Sequence, residues 1–353
     1  MKAVNVLIHP VGHACNLGCD YCYNRNRAQK KFPPMTLETF IKVFVSWFSL
    51  IPDNVECDFL WHGGEPLLRG KDFFRAVAGY VTLPKFSSKK FSVCIQTNGT
   101  LIDQEWIEIF KLGGFKIGIS YDGPSHDLYR KTVAGQPTAN LVRKSIELLR
   151  LAGIPTGIVS VINKGNVVDP VALIKCVGEL GLQKFQISPC IEGGGEDCFS
   201  ITGEEFASFV CRLYDILLEE SNKGFTVGYI DDILNFLIHG KCFNCLLTDR
   251  CKGFVVVDPA GNLKSCESVP FSEVSFGNIS EMEISDVLES KDWINRHREL
   301  SNKRRRMCGR CEWYKVCHGN CPYYWTNDKS RLCEANKIIY EHITSSLIQQ
   351  YSK

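Results

Sequence analysis

Cys15, Cys19 and Cys22 form a C-x3-C-x2-C array just behind a short apolar run, and no other feature restricts this chain as much. Eighteen cysteines in 353 residues, gathered mainly in two places, point to metal or clusters rather than to the disulfide framework of a small secreted domain. Three thiolates leave one iron of a 4Fe-4S cube without a protein ligand, and an open iron can bind a small molecule. His13 could complete a zinc site instead, although this spacing is not the usual zinc pattern.

A net charge of +2 removes any broad electrostatic reason to expect nucleic acid or an anionic membrane as partner. Met1 to Pro10 has one lysine and no small-residue cleavage site, too little for a signal peptide. The longest apolar stretch, Phe40 to Ile51, is interrupted by Lys42, well short of the roughly 20 residues that span a bilayer. A cytoplasmic protein without a membrane segment is expected, and a reducing cytosol keeps clustered cysteines available as thiolate ligands.

From residue 4 to about 189 short β-branched or aromatic runs alternate with helical patterns, as in repeated βα units on a parallel sheet. Strands are expected at Val4 to His9, Glu56 to Trp61, Phe91 to Gln96, Lys116 to Ser120, Thr156 to Ile162 and Lys184 to Ser188. Helices are expected behind a Thr36 cap, with Leu37, Phe40, Ile41, Phe44 and Phe48 inward, and near Gln104 to Leu112, Leu141 to Leu151 and Val171 to Leu180. Six units fall two short of a closed eight-fold barrel, so the fold class is α/β, a partial open (β/α)6 TIM-type barrel with its site at the carboxyl strand ends. The domains are 1–200, the barrel; 201–241, linker helices after a Gly193 to Gly195 loop, opened by the capping box from Thr202 to Glu205; 242–334, a cysteine-rich domain of weak helical periodicity; and 335–353, a closing helix.

Cys15-Asn16-Leu17-Gly18-Cys19-Asp20-Tyr21-Cys22 resembles the signature of radical S-adenosylmethionine (SAM) enzymes. The resemblance implies that SAM chelates the open iron and is cleaved by one electron to methionine and a 5′-deoxyadenosyl radical. Trp61-His62-Gly63-Gly64-Glu65-Pro66 is similar to the family's GGEP loop, which implies that Gly63, Gly64 and Glu65 receive the SAM amino group. Gln96 and Asn98, after the third strand, and Ser120 and Asp122, after the fourth, stand where the family contacts the SAM ribose and carboxylate; Asn98-Gly99 and Asp122-Gly123 also read as ordinary turns. Tyr21 would shield the cluster or lie near adenine, or simply pack.

Cys251, Cys266, Cys308, Cys311, Cys317, Cys321 and Cys333 are spaced like the SPASM extension of radical SAM peptide maturases, and Cys245 supplies an eighth thiolate. The resemblance assigns Cys245, Cys251, Cys266 and Cys321 to one auxiliary 4Fe-4S cluster and Cys308, Cys311, Cys317 and Cys333 to another, so three clusters and SAM are the expected cofactors. Cys242 competes as a ligand, and Lys303 to Arg306 reads as a solvated charged turn or a contact for an acidic peptide leader.

Resemblance over the whole chain implies an enzyme that abstracts hydrogen from a peptide or protein side chain, fed by a flavodoxin or ferredoxin-type donor. In sulfatase maturases an aspartate acting as base follows the third ligand of the first auxiliary cluster; here Glu267 follows Cys266, and its extra methylene weakens a formylglycine reading. Trp61-His62 looks more like the cyclophane-forming maturases of ribosomal peptides. A cross-linking maturase is therefore the expected function, with Glu267 as candidate base. The alternatives are an anaerobic sulfatase maturase, an epimerase or thioether synthase and, more remotely, a non-catalytic zinc-binding protein. No separate leader-binding module precedes the first strand, so leader recognition is expected on the barrel or in a partner.

Overall fold

The computed structural model describes residues 4–24, 33–191, 198–219, 224–241, 244–248, 251–267 and 274–352; Cys242 and the Gly193 to Gly195 loop lie outside them. The strands are β1 (Asn5–Ile8), β2 (Cys57–Trp61), β3 (Phe91–Thr97), β4 (Lys116–Ser120), β5 (Thr156–Ile162), β6 (Lys184–Pro189), β7 (Thr226–Val227), β8 (Phe254–Val257), β9 (Asn262–Lys264), β10 (Gly277–Asn278), and the antiparallel pair β11 (Trp325–Thr326) and β12 (Lys329–Ser330). The helices are α1 (Leu37–Leu50), α2 (Lys71–Val81), α3 (Gln104–Gly113), α4 (His126–Tyr129), α5 (Ala139–Leu151), α6 (Pro170–Glu179), α7 (Gly203–Leu217), α8 (Gly228–His239), α9 (Ile284–Glu289), α10 (Lys291–Cys308), α11 (Tyr314–Cys317) and α12 (Cys333–Tyr351). Every boundary of the six strands read from the sequence falls within one residue of β1 to β6.

The chain divides into two compact units. The first comprises Met1–Ser120, Arg130–Thr156 and Arg250–Arg298. Its strands lie in the order β10-β9-β8-β1-β2-β3-β4. Strands β1 to β4 are parallel, β8 runs parallel to β1, and β9 and β10 add antiparallel pairs at the edge. Ile8, Trp61 and Ile95 are paired in register near the carboxyl ends of β1, β2 and β3. Trp61 faces the helices, its ring centroid 5.6 Å from that of Phe40 and 5.1 Å from that of Phe74. Side chains alternate along a strand, so the next residues, His9, His62 and Gln96, leave the sheet toward the opposite side.

Thr36 caps α1 by accepting from the Thr39 amide at 3.1 Å. The buried stripe of α1 is Phe40, Val43, Phe44, Trp47 and Leu50, whereas Leu37, expected inside, is exposed. Trp47 donates its indole N–H to the Val4 carbonyl at 2.7 Å, so its large apolar face is buried without leaving a polar atom unsatisfied. Helix α2 lies between the expected elements, and Phe73, Phe74, Val77, Ala78 and Val81 form its buried face.

The second unit comprises Tyr121–Tyr129, Gly157–Asp249 and Glu299–Lys353. In it β5, β6 and β7 are parallel neighbours, and α7 packs on α12. Both hydrogen bonds of the expected capping box open α7, from the Glu205 amide to Thr202 Oγ1 at 3.2 Å and from the Thr202 amide to Glu205 Oε2 at 2.8 Å. The basic run Lys303 to Arg306 is not a turn. It lies in the last turns of α10, where Arg304 is buried beside the Trp325 ring. Among the described residues no helix is long and apolar enough to cross a membrane.

Candidate active site

The loop leaving β1 carries the first cysteines. Cys15 Sγ accepts from the Leu17 amide at 3.4 Å, the Cys22 amide donates to the Cys19 carbonyl at 3.2 Å, and the Gly18 amide donates to the Lys131 carbonyl at 2.9 Å. Burial, reinforced by Glu65 and by the neighbouring Cys19 and Cys22 sulfurs, pushes the Cys15 thiol up to about 12. Three thiols on one short loop, Cys19 buried and Cys15 and Cys22 half-buried, with the other two opposing the ionisation of Cys15, are a donor set suited to a cationic iron cluster, which holds its ligands as thiolates.

The Gly63-Gly64-Glu65 segment lies directly against this loop. The Gly64 amide donates to the Gly12 carbonyl at 3.0 Å and the Glu65 amide to the Ala14 carbonyl at 2.8 Å. Gly63 has φ +101°, and a Cβ on Gly64 would stand 2.0 Å from the Ala14 oxygen, so both glycines serve close backbone approach. The fully buried Glu65 carboxylate accepts from Thr97 Oγ1 at 2.8 Å, the Asn98 amide at 2.8 Å and the Leu67 amide at 3.0 Å. Burial pushes its pKa up to about 7 against the pull of these donors.

Asn98 Nδ2 donates to Asn16 Oδ1 at 2.9 Å and lies 3.8 Å from Cys15 Sγ, which ties the loop after β3 to the cysteine loop. Gln96 Nε2 donates to Ser120 Oγ at 3.1 Å. The buried Tyr21 ring lies under the Arg130 guanidinium, 5.3 Å from its centroid. Asp122 belongs to the second unit, where it is buried and accepts from the Val161 amide at 2.9 Å. That bond reaches the neighbouring strand β5 and is not the local bond of a turn.

Glu267 is the centre of a group that the sequence foreshadowed only in part. His9 Nε2 donates to Glu267 Oε2 at 3.2 Å, and His62 Nδ1 stands 3.0 Å from the same oxygen as an ion pair without the alignment of a hydrogen bond. Burial and the charge of Glu267 raise the Tyr23 phenol well above its ordinary value. Burial by itself would raise the Glu267 carboxyl, but the charge of His62 and the contacts from His62 and His9 hold it well below the usual carboxylate range. Burial likewise disfavours the His62 imidazolium, yet Glu267 lifts His62 above the ordinary histidine value. Beside the group, a cavity of about 20 Å³ lined by His9, His13, Asp258, Lys264 and Cys266 has room for a single water. A larger concavity of about 520 Å³ lies at the amino ends of β2 and β3, around Glu56 and Phe91, away from these residues. His9 was missed in the sequence; the available signal was a histidine next after β1, in register with the one next after β2.

In the second unit Cys308 ends α10, Cys317 ends α11 and Cys333 opens α12. Burial raises all three thiols, with Cys308 and Cys317 each adding the influence of Cys333, and Cys333 that of Cys311. Asn336 Nδ2 donates to Cys317 Sγ at 3.6 Å. His318, Gly319 and Asn320 all have positive φ, a tight reversal between Cys317 and Cys321. These four thiols, Cys308, Cys311, Cys317 and Cys333, fit one auxiliary cluster. Of the other set, Cys251 and Cys266 belong to the first unit and Cys245 and Cys321 to the second.

Residues 9–175 match the family model of the radical SAM superfamily, and residues 238–322 that of the SPASM iron-sulfur cluster-binding domain. The chain is 28% identical to a cysteine-type anaerobic sulfatase-maturating enzyme of Clostridium novyi, covering 98% of this chain and 97% of the relative. It is 27% identical to a serine-type anaerobic sulfatase-maturating enzyme of Bacteroides thetaiotaomicron, covering 91% and 83%. A solved structure described as native anSMEcpe with bound AdoMet and Kp18Cys peptide superposes with a TM-score of 0.86 at 25% identity, covering 99% of each chain.

Proposed function

The chain belongs to the radical SAM superfamily and carries a SPASM iron-sulfur domain, and from that premise we propose that it oxidises a side chain of a peptide or protein by two electrons, with Glu267 as the base. It is a radical SAM maturase. Cys15, Cys19 and Cys22 hold the SAM-binding cluster, and the SPASM cysteines hold two more. When bound, these groups supply the 5′-deoxyadenosyl radical that removes a hydrogen atom and a place for the second electron.

The proton is the part of the reaction that falls to this chain's own side chains. Once a hydrogen atom has gone, the substrate radical must give up one electron and one proton, the proton leaving the sulfur or oxygen on that carbon when an aldehyde is formed or the aromatic ring when a cross-link closes. Glu267 is the carboxylate kept ionised to take it, one residue from a cluster ligand. That placement is the observation that carries the proposal. Conversion of a sulfatase cysteine or serine to formylglycine is the product supported by likeness to both types of maturase over nearly the whole chain. Trp61-His62 ahead of the GGEP loop supports a second reading, an intramolecular cyclophane-type cross-link in a ribosomally made peptide. A flavodoxin or ferredoxin-type protein is the proposed electron donor.

The test is the reconstituted enzyme with two substrates, a peptide carrying a sulfatase motif and the precursor peptide encoded beside it, read by mass spectrometry. An aldehyde on the first supports formylglycine; loss of two hydrogens between an aromatic residue and a near neighbour on the second supports the cross-link. Glu267→Gln is expected to keep 5′-deoxyadenosine formation and lower product by about 10² to 10⁴-fold. Equal product from that variant overturns the assignment of the base.

A further inference from the structure

The reading of Glu267 as base leaves open how a flexible carboxylate is aimed at one hydrogen. We infer that His9 and His62 are positioning residues that aim the Glu267 carboxylate at the substrate, by gripping one of its oxygens from the ends of two neighbouring strands. This inference rests on the proposed role of Glu267 and adds two residues to it.

Both imidazoles meet Oε2, His9 at 3.2 Å and His62 at 3.0 Å, so a single oxygen is held from two directions. Both histidines are themselves fixed. The His9 amide donates to the Val257 carbonyl at 2.9 Å, and the His62 amide to the Ile8 carbonyl at 2.8 Å, so each begins where a parallel strand ends. The His9 ring is fitted closely: a Cβ on Gly63 would lie 3.0 Å from its Cγ, and the His13 ring meets it edge-on at 5.7 Å between centroids. The His9 side chain is 5% exposed, so its bond to Glu267 is sheltered from competing water. A glutamate has three side-chain torsions to restrain, and two contacts to one oxygen restrain the carboxylate end. Misplacing a reacting group by about 1 Å costs about a hundredfold in rate, which sets the size of effect expected.

The test uses the holoenzyme with three cluster sites reconstituted. His62→Leu and His9→Leu are expected to lower product formation about ten- to a hundredfold, to change the KM for peptide less than about threefold, and to raise the ratio of 5′-deoxyadenosine to product. A residue acting through Glu267 has nothing further to lose once Glu267 is gone, so His62→Leu added to Glu267→Gln is expected to lower the product no further. An additional drop in the double variant would mean a separate structural role and would overturn the inference.

Should the leucine variants lose iron, the comparison moves to polar replacements of His9. His9→Gln keeps an N–H donor near the Nε2 position, whereas His9→Asn withdraws it by one methylene, so Gln is expected to retain at least about ten times the product of Asn. Equal yields from the two would count against the inference. The outcomes separate it from its premise: Glu267→Gln without effect defeats the base assignment, while an inactive Glu267→Gln beside fully active histidine variants defeats only the positioning role. Metal analysis of the same preparations covers the remaining outcome. Stoichiometric zinc in the wild type that disappears in His62→Leu would make the group a metal site and overturn the inference.

Discussion

Gly64→Ala is expected to displace the first cysteine loop, because this glycine lies against backbone and not against a movable side chain. The added Cβ would stand 2.0 Å from the Ala14 oxygen and 2.6 Å from the Ala14 and His13 carbonyl carbons. Comfortable contacts begin near 3.5 Å, so the two segments must part by about 1.5 Å. That movement breaks the bonds from Gly64 to Gly12 at 3.0 Å and from Glu65 to Ala14 at 2.8 Å. Two lost hydrogen bonds at about 1 kcal/mol each, with about 1 to 3 kcal/mol of overpacking, give about 3 to 5 kcal/mol. Gly79, inside α2, is the matched control: a Cβ there meets nothing within 4 Å. Alanine at Gly79 is expected to stabilise by up to about 1 kcal/mol through its better helix propensity. Urea unfolding of the apoproteins reads the stability, and anaerobic iron analysis after reconstitution reads the cluster. A Gly64→Ala protein as stable as Gly79→Ala, with full iron and normal 5′-deoxyadenosine production, would refute the reasoning.

Replacing Cys15, Cys19 and Cys22 together with alanine is expected to abolish SAM cleavage and, on the proposed set of three clusters, to lower iron from about twelve to about eight per chain, since the proposed C-terminal clusters draw on other cysteines; undiminished 5′-deoxyadenosine would contradict the assignment. Thr202→Ala removes the acceptor for the Glu205 amide at the start of α7, and thermal unfolding should report a loss of about 0.5 to 2 kcal/mol with no change in the yield of modified peptide relative to SAM consumed.

The barrel was legible because two independent periodicities agree in it. Strands such as Thr156–Ile162 combine β-branched residues with clear polar boundaries, and their ends were placed to a residue. Helix α2 was not, since its apolar stripe of Phe73, Phe74, Val77, Ala78 and Val81 follows closely on the GGEP loop and begins at Gly70, without a side-chain cap. Arg304 escaped for a different reason. In a run of four basic residues on α10 the sequence gives no sign which of them turns inward, and burial of a guanidinium beside Trp325 depends on a tertiary neighbour 21 positions away. His9 is the most instructive omission: its partner Glu267 is 258 residues distant, and only the register of β1 with β2 makes it adjacent to His62.

The same register changes the weight of the Glu267 side chain's extra methylene. Read from sequence, a longer carboxylate in place of aspartate argues against formylglycine chemistry, because the extra methylene moves a base whose reach is about a hydrogen bond; a free glutamate would also spread its oxygens over more rotamers. Here one oxygen is held between His9 and His62 at 3.2 and 3.0 Å, so the added torsion is not free to act. Length then decides where the base is aimed and no longer how well it is aimed. A substrate proton displaced by roughly one bond from the position an aspartate would serve can be reached as readily as the original one. Glutamate at this position is therefore compatible with formylglycine formation and with a cross-link alike, and the discrimination falls to the shape of the peptide that brings its acidic hydrogen to Glu267.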